Sequence, residues 1–399
     1  MAKKINFELS TRMHRLPPYL FGELNEIKLK LRQKGIDIID FGMGNPDKST
    51  PKHVVDKLRE VVKDSRNHRY SASKGINNLR KAVAYYYDKK YNVKLNPQTE
   101  TIAVIGTKEG LSHLSLALLG PGDTALVPNP AFPIHIYSVI LAGANVINIP
   151  NGNDENFIRN LWHITHTLIP KPKVLFLNFP NNPNTSVVEP EFFKEIVKFA
   201  KKNEVIVIHD FAYADITFDG YKAPSFLQTP GAKDVGVEFF TMSKSYNMPG
   251  WRIGFCSGNK DIIAALAKIK GYYDYGIFQA VQIAAIVALK GDQSDVQKNA
   301  LLYQKRRDVL IDGLDKIGWH IEKPKATMFV WAPIPDKYKK LGSMKFSRKL
   351  LNEANVAVSP GIGFGENGEG FVRIALVENE LRIKQAIRQI NRTLKLIKK

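Results

Sequence analysis

Between Pro51 and about Leu289 the chain switches repeatedly between two periods, and that alternation limits its fold more than any other feature. Stretches with helical spacing of apolar residues (54–63, 77–91, 111–119, 189–202) are separated by short apolar runs (101–105, 124–127, 146–149, 174–177, 205–208, 239–242, 252–257). Several runs, such as Val174-Leu175-Phe176-Leu177, are too uniformly apolar for a strand with one wet face. Strands covered by helices on both faces accommodate them, so the expected fold class is α/β, a mostly parallel sheet flanked by helices.

The pattern changes near both ends. Residues 1–50 carry turn signals around one amphipathic stretch, 21–32, and are expected to form an arm and part of a smaller unit. After Asp292 a long charged helix (296–316) precedes strand-like segments at 328–332 and 371–376. The expected division is therefore 1–50, a large domain at 51–290, and a smaller α+β domain at 291–399. No internal repeat suggests a solenoid.

Charge could mislead here. The chain has 58 Lys and Arg against 38 Asp and Glu, a formal net charge of +20. The excess is scattered, and no basic run is interleaved with aromatic residues, so a solvated surface is expected in place of nucleic-acid binding. The single cysteine, Cys256, excludes an intramolecular disulfide and a cysteine-based zinc cluster, and reads as a small buried hydrophobe. No apolar run approaches the ~18 residues that span a membrane, and the first residues lack a secretory apolar core. A cytoplasmic protein without a membrane partner is expected.

The most informative string is Phe239-Phe240-Thr241-Met242-Ser243-Lys244-Ser245, continuing to Arg252 and Gly254. It puts a lysine between two small hydroxyl residues just beyond an apolar strand, where open α/β sheets bind ligands. Taken alone, Ser243-Lys244 is better explained by a surface loop. Asp210 ends another apolar run and reads either as a helix N-cap or as the buried partner of a cation.

The whole string resembles the active-site lysine segment of the class I/II aminotransferases, pyridoxal phosphate enzymes of fold type I. The family's other pieces follow in order: Gly106-Thr107-Lys108-Glu109-Gly110, Asn129-Pro130-Ala131-Phe132, Asn181-Asn182-Pro183, His209-Asp210-Phe211-Ala212-Tyr213 and Phe371-Val372-Arg373-Ile374-Ala375-Leu376. The resemblance implies pyridoxal 5'-phosphate as cofactor and Lys244 as its Schiff-base residue and proton carrier. It pairs Asp210 with the pyridine nitrogen, and Tyr213 and Asn182 with the ring hydroxyl oxygen. It puts Thr107, Lys108, Thr241, Ser243 and Arg252 around the phosphate, Phe132 on the ring, and Tyr70 at the neighbouring subunit's phosphate, which implies a homodimer. Arg373 is then the clamp for the substrate α-carboxylate, with Gly44 and Asn182 beside it. One departure stands out: Asn184-Thr185 occupies positions where Thr-Gly is usual.

Longer strings, among them Arg15-Leu16-Pro17-Pro18-Tyr19 and residues 129–137, resemble the bacterial glutamate/pyruvate (alanine) aminotransferase subgroup, which is close to the LL-diaminopimelate enzymes. Tyr19 and Lys108 match positions that contact the distal part of the substrate in the latter. The segment 271–279 contains no arginine, unlike the aspartate enzymes, which use one there for the second carboxylate. The expected reaction is L-alanine plus 2-oxoglutarate to pyruvate plus L-glutamate. The alternatives are LL-diaminopimelate, methionine or an aromatic amino acid as donor, a β-lyase on the same fold, and, most distant, a basic nucleic-acid-binding protein. Two further motifs carry nothing. Gly361-Ile362-Gly363-Phe364-Gly365 leads toward a strand and reads as a loop, and His163 and His166 lack the companions of a metal site.

Overall fold

The computed structural model describes residues 7–17 and 20–396. The apolar runs form a seven-stranded sheet: β1 (Thr101–Val104), β2 (Thr124–Asn129), β3 (Asn145–Pro150), β4 (Val174–Leu177), β5 (Ile206–Asp210), β6 (Gly236–Thr241) and β7 (Gly254–Gly258). Their order is β1-β7-β6-β5-β4-β2-β3. Neighbours run parallel except at β7, which is antiparallel to both β1 and β6.

Alternation along each strand explains why the runs had to be apolar throughout. Leu126, Leu175, Leu177, Val207 and Phe240 point into one core, with residues of α1 (Asn77–Tyr91) and the helix Pro190–Asn203. Ala125, Val127, Val174, Phe176, Ile208 and Phe239 point into the opposite core, with residues of α2 (Thr107–Leu118), α3 (Pro133–Leu141) and Lys260–Tyr273. Side chains one residue apart leave opposite faces of a strand, so both faces are dry.

The last part of the chain builds a third core. There α4 (Ser294–Asp315) and the helices Gly342–Ala354 and Glu380–Leu394 pack on a small antiparallel sheet, order β9-β10-β8, of β8 (Phe329–Pro333), β9 (Ser359–Pro360) and β10 (Phe371–Ala375). Ile39 and Phe41 join this core, and Ile39–Asp40 pairs in parallel with Val356–Ala357. No described helix is long and apolar enough to cross a membrane.

Two of the boundaries that differ from the sequence reading matter for the site. The helix expected at 111–119 begins at Thr107, so Thr107 and Lys108 lie in its first turn. Arg252, expected at the start of a strand, lies before it in a left-handed conformation (φ 54°, ψ 52°), and β7 begins at Gly254.

One buried polar cluster pins the centre of the sheet. Glu238 on β6 sits directly across from His209 on β5, and both are fully buried. Its carboxylate accepts from Tyr87 Oη (2.9 Å), Ser225 Oγ (2.7 Å) and the Phe226 amide (2.7 Å), and lies 2.9 Å from His209 Nδ1. On its other side, His209 Nε2 is within hydrogen-bond distance of the Phe179 backbone, at the start of the loop that carries Asn182. Removing a buried charge that satisfies several donors leaves them all unpaired, so Glu238→Ala should lower stability by ~3–5 kcal/mol and Glu238→Gln by less. Urea denaturation checks this; a loss under ~1 kcal/mol for the alanine variant would contradict it.

Candidate active site

Because β1, β2, β4, β5 and β6 are parallel, their carboxyl ends open on one side, and a cavity of about 350 Å³ lies there. Lys244 follows β6 on a single helical turn, Met242–Ser245, capped by Thr241, whose Oγ1 accepts the Ser243 amide at 3.2 Å. The Lys244 amine donates to the Gly44 carbonyl at 2.6 Å. Burial first, and then the charges of Arg373 and Arg252, lower its pKa from 10.5 to about 8. At pH 7 that leaves roughly one amine in ten neutral, against about one in three thousand for an ordinary lysine.

Asp210, the last residue of β5, is buried. Oδ2 meets His135 Nε2 at 2.9 Å, while Oδ1 is buried with no partner among the described residues. Asn178 Nδ2 holds the Asp210 carbonyl at 2.7 Å, and Asn178 Oδ1 takes the Asn182 amide at 2.9 Å. A half-satisfied carboxylate on a cavity wall is costly unless a cation or donor completes it, and a protonated ring nitrogen is such a group. Phe132, half-buried on the same wall, meets the His135 ring edge-on at 5.9 Å. His135 and Asn178 were given no role in the sequence reading. The signal for His135 was its place one helical turn after Phe132, behind the helix-starting Pro133.

The opposite end of the cavity suits a phosphate. Gly106 (φ +76°) caps α2, and a Cβ there would lie 2.2 Å from Arg252 Nη2. Thr107 and Lys108 supply first-turn amides, which have no acceptor within a helix and sit at its positive end. Thr241 Oγ1 and Ser243 Oγ are 3.0 Å apart, and both line the cavity with Arg252. Arg252 is fixed by the carbonyls of Pro249 (2.9 Å) and Ile105 (3.4 Å). Together with the open valence on Asp210, these groups fit pyridoxal phosphate.

Arg373 stands on β10 with its guanidinium carbon 4.1 Å from the Phe329 ring centre and 4.5 Å from that of Phe364. Nη1 donates to Asn182 Oδ1 at 2.6 Å, and Nη2 to the Gly42 carbonyl at 3.2 Å and Ser359 Oγ at 3.4 Å. Tyr213 is buried, with its ring edge-on to Phe329 at 5.5 Å; burial above all pushes its hydroxyl pKa up. Gly44 is glycine for a reason the sequence did not show: a Cβ would lie 2.6 Å from the Phe329 ring.

The remaining expected residues are placed as follows. Lys108 is exposed on the cavity wall. Tyr70 is 86% exposed, outside the cavity of its own chain, with its ring 4.8 Å from that of Tyr275. Tyr19 lies outside the described residues. Thr185, where the family usually has glycine, adopts φ +63°, and Asn184 Oδ1 closes the turn by accepting the Ser186 amide at 3.0 Å and hydroxyl at 2.7 Å. Gly361–Phe364 is a 3₁₀ turn, and His163 and His166 are exposed on the helix Glu155–Thr167.

Comparison with known proteins decides the family. The profile of the aminotransferases of class I and II matches residues 36–390. The chain belongs to that family. It is 54% identical over 380 residues to the glutamate-pyruvate aminotransferase AlaC of Escherichia coli K12, covering 95% of this chain and 92% of that protein. It is 45% identical to the LL-diaminopimelate aminotransferase of Moorella thermoacetica, covering 96% of this chain and 97% of that one. A substrate-bound BacF structure from Bacillus subtilis superposes with a TM-score of 0.92 at 36% identity, covering 97% and 98% of the two chains. This aminotransferase is a pyridoxal-phosphate enzyme of fold type I, acting on amino and 2-oxo acids.

A side chain at Gly106 would displace Arg252 and crowd the anion end of the cavity. Gly106→Ala should weaken pyridoxal phosphate binding to the apoprotein about tenfold or more, and pyridoxal binding much less. Absorbance titration with both ligands checks this; equal losses would place the effect away from the phosphate.

Proposed function

We propose that the enzyme exchanges the amino group between L-alanine and 2-oxoglutarate, giving pyruvate and L-glutamate. The observation that carries this reading is the 54% identity over 95% of the chain to a glutamate-pyruvate aminotransferase. The arginine-free segment 271–279 agrees with it: Tyr272, Tyr273 and Tyr275 there are exposed aromatics. The 45% identity to an LL-diaminopimelate enzyme supports a second reading with a longer donor, for which Lys108 on the cavity wall, together with Tyr19, is the residue to test.

Pyridoxal phosphate, when bound, supplies an aldehyde to carry the amino group and a ring that takes up the electron pair left at the substrate Cα. The protein's part follows from the geometry. Lys244 Nζ would hold the aldehyde at rest and, once displaced there by the substrate amine, would be free to carry the proton between the substrate Cα and the aldehyde carbon; its lowered pKa makes the neutral form available. Arg373 holds the substrate α-carboxylate with its planar fork, steadied by Asn182, the Gly42 carbonyl and two aromatic faces. Asp210, braced by His135, keeps the ring nitrogen protonated, and Tyr213 and Asn182 hold the ring hydroxyl oxygen. Thr107, Lys108, Thr241, Ser243 and Arg252 hold the phosphate, and Phe132 covers the ring.

We also propose a homodimer in which Tyr70 completes the partner's site. Tyr70 and Tyr275, with ring centres 4.8 Å apart, are exposed, as are Tyr272 and Phe278 in the same segment as Tyr275, and subunit contacts cover aromatics of this kind.

The near-ultraviolet and visible spectrum tests the substrate pair. L-alanine should convert the cofactor to its amine form and 2-oxoglutarate should restore it. A spectrum that answers only to LL-diaminopimelate would replace alanine as donor. Lys244→Ala should abolish turnover, and Arg373→Ala should raise the KM for alanine about a hundredfold while pyridoxal phosphate stays bound.

Shared sites make a separate prediction. Chains carrying Tyr70→Ala and chains carrying Lys244→Ala, each poorly active alone, should regain activity when unfolded and refolded together, because mixed dimers contain one intact site. No gain in a mixture shown to contain mixed dimers would remove Tyr70 from the partner's site.

A further inference from the structure

The carbonyl that receives the Lys244 amine and the one that braces Arg373, those of Gly44 and Gly42, belong to one loop without regular structure, residues 41–51. Asp40 and Ser359 hold the loop at Gly42, through its amide and its carbonyl. Beyond Gly44 the anchor is Asp47, and its partner is a fully buried arginine, Arg306 on α4. Both of its terminal nitrogens bond the Asp47 carboxylate, each at 2.7 Å, and Nη1 also donates to the Leu376 carbonyl at 2.9 Å. Leu376 directly follows β10, the strand of Arg373. One guanidinium thus ties the loop to that strand.

The same helix reaches the lysine from behind. Asn299 lies seven residues before Arg306, two turns away on the same face, and its Nδ2 donates to the Lys244 carbonyl at 3.0 Å. The Tyr303 ring lies between them, 5.8 Å from the Arg306 guanidinium carbon. A rigid helix therefore sets the spacing between the backbone of Lys244 and the loop that receives its amine.

We propose that Arg306 is a positioning residue for the transamination. Through Asp47 it holds the Gly44 carbonyl at the Lys244 amine, and through Leu376 it keeps that loop in register with Arg373. The inference rests on the roles given above to Lys244 and Arg373. A bidentate fork fixes both distance and angle, which a lysine cannot reproduce. A small displacement of a proton-carrying group costs rate far more than it costs binding.

The test compares Arg306→Lys and Asp47→Asn with the parent enzyme. It measures kcat and KM for L-alanine, apoprotein affinity for pyridoxal phosphate, and binding of 2-methylalanine, which has no Cα proton to lose. Asp47→Asn changes an exposed residue and decides the matter alone if the buried variant does not fold. The expected result is a fall in kcat of about ten- to a hundredfold, with affinities for pyridoxal phosphate and 2-methylalanine changed by less than about threefold. A kcat within about twofold of the parent, or a loss matched by weaker cofactor and analogue binding, would overturn the proposal and make the pair a structural bridge. Lys244→Ala, run alongside, separates the two levels: turnover surviving in that variant would sink the role of Lys244, and the inference with it.

Discussion

A carboxylate buried at the end of a strand with only half of its bonding met is the constraint around which the site is arranged. Asp210 has His135 on one oxygen and no partner among the described residues on the other, and its backbone carbonyl is held by Asn178. Such a group is costly unless a cationic or donating partner completes it, and any ligand that does so adds to the stability of the fold. The parallel sheet makes the arrangement possible, since it delivers Asp210, Asn178, Thr241 and the first turn of α2 to one edge. The phosphate end and the ring end of the cavity are therefore set by the same strands.

Much of this was legible in the sequence because it was local. The runs at 101–105, 174–177 and 239–242 announced doubly covered strands, and the string around Lys244 carried its own neighbours, Thr241, Ser243 and Arg252. What could not be read depends on contacts between distant residues. The place of His135 one turn after Phe132 does not name Asp210, 75 positions away, as its partner, and nothing near Asp47 points to Arg306, 259 positions away. The reversal at β7 is likewise a matter of which strand it joins, since a buried strand is equally apolar in either direction. Gly44 shows a subtler gap. The resemblance put it beside the substrate carboxylate, yet the atoms that a side chain there would meet belong to Phe329.

The substrate end is built from different material. Arg373 lies between two aromatic faces and is braced at its edge by an amide, a backbone carbonyl and a hydroxyl, none of them anionic. These neutral braces fix the plane and direction of the fork.

The same economy applies to the resting contact of Lys244. Its amine is received by a backbone carbonyl, and the charges that bear on it are two arginines, with no carboxylate among them. Had the loop offered an aspartate in place of the Gly44 carbonyl, the ion pair would have trapped the amine as an ammonium and raised its pKa. A neutral dipole detains the lysine without fixing its charge, so the amine rests in a place it can leave.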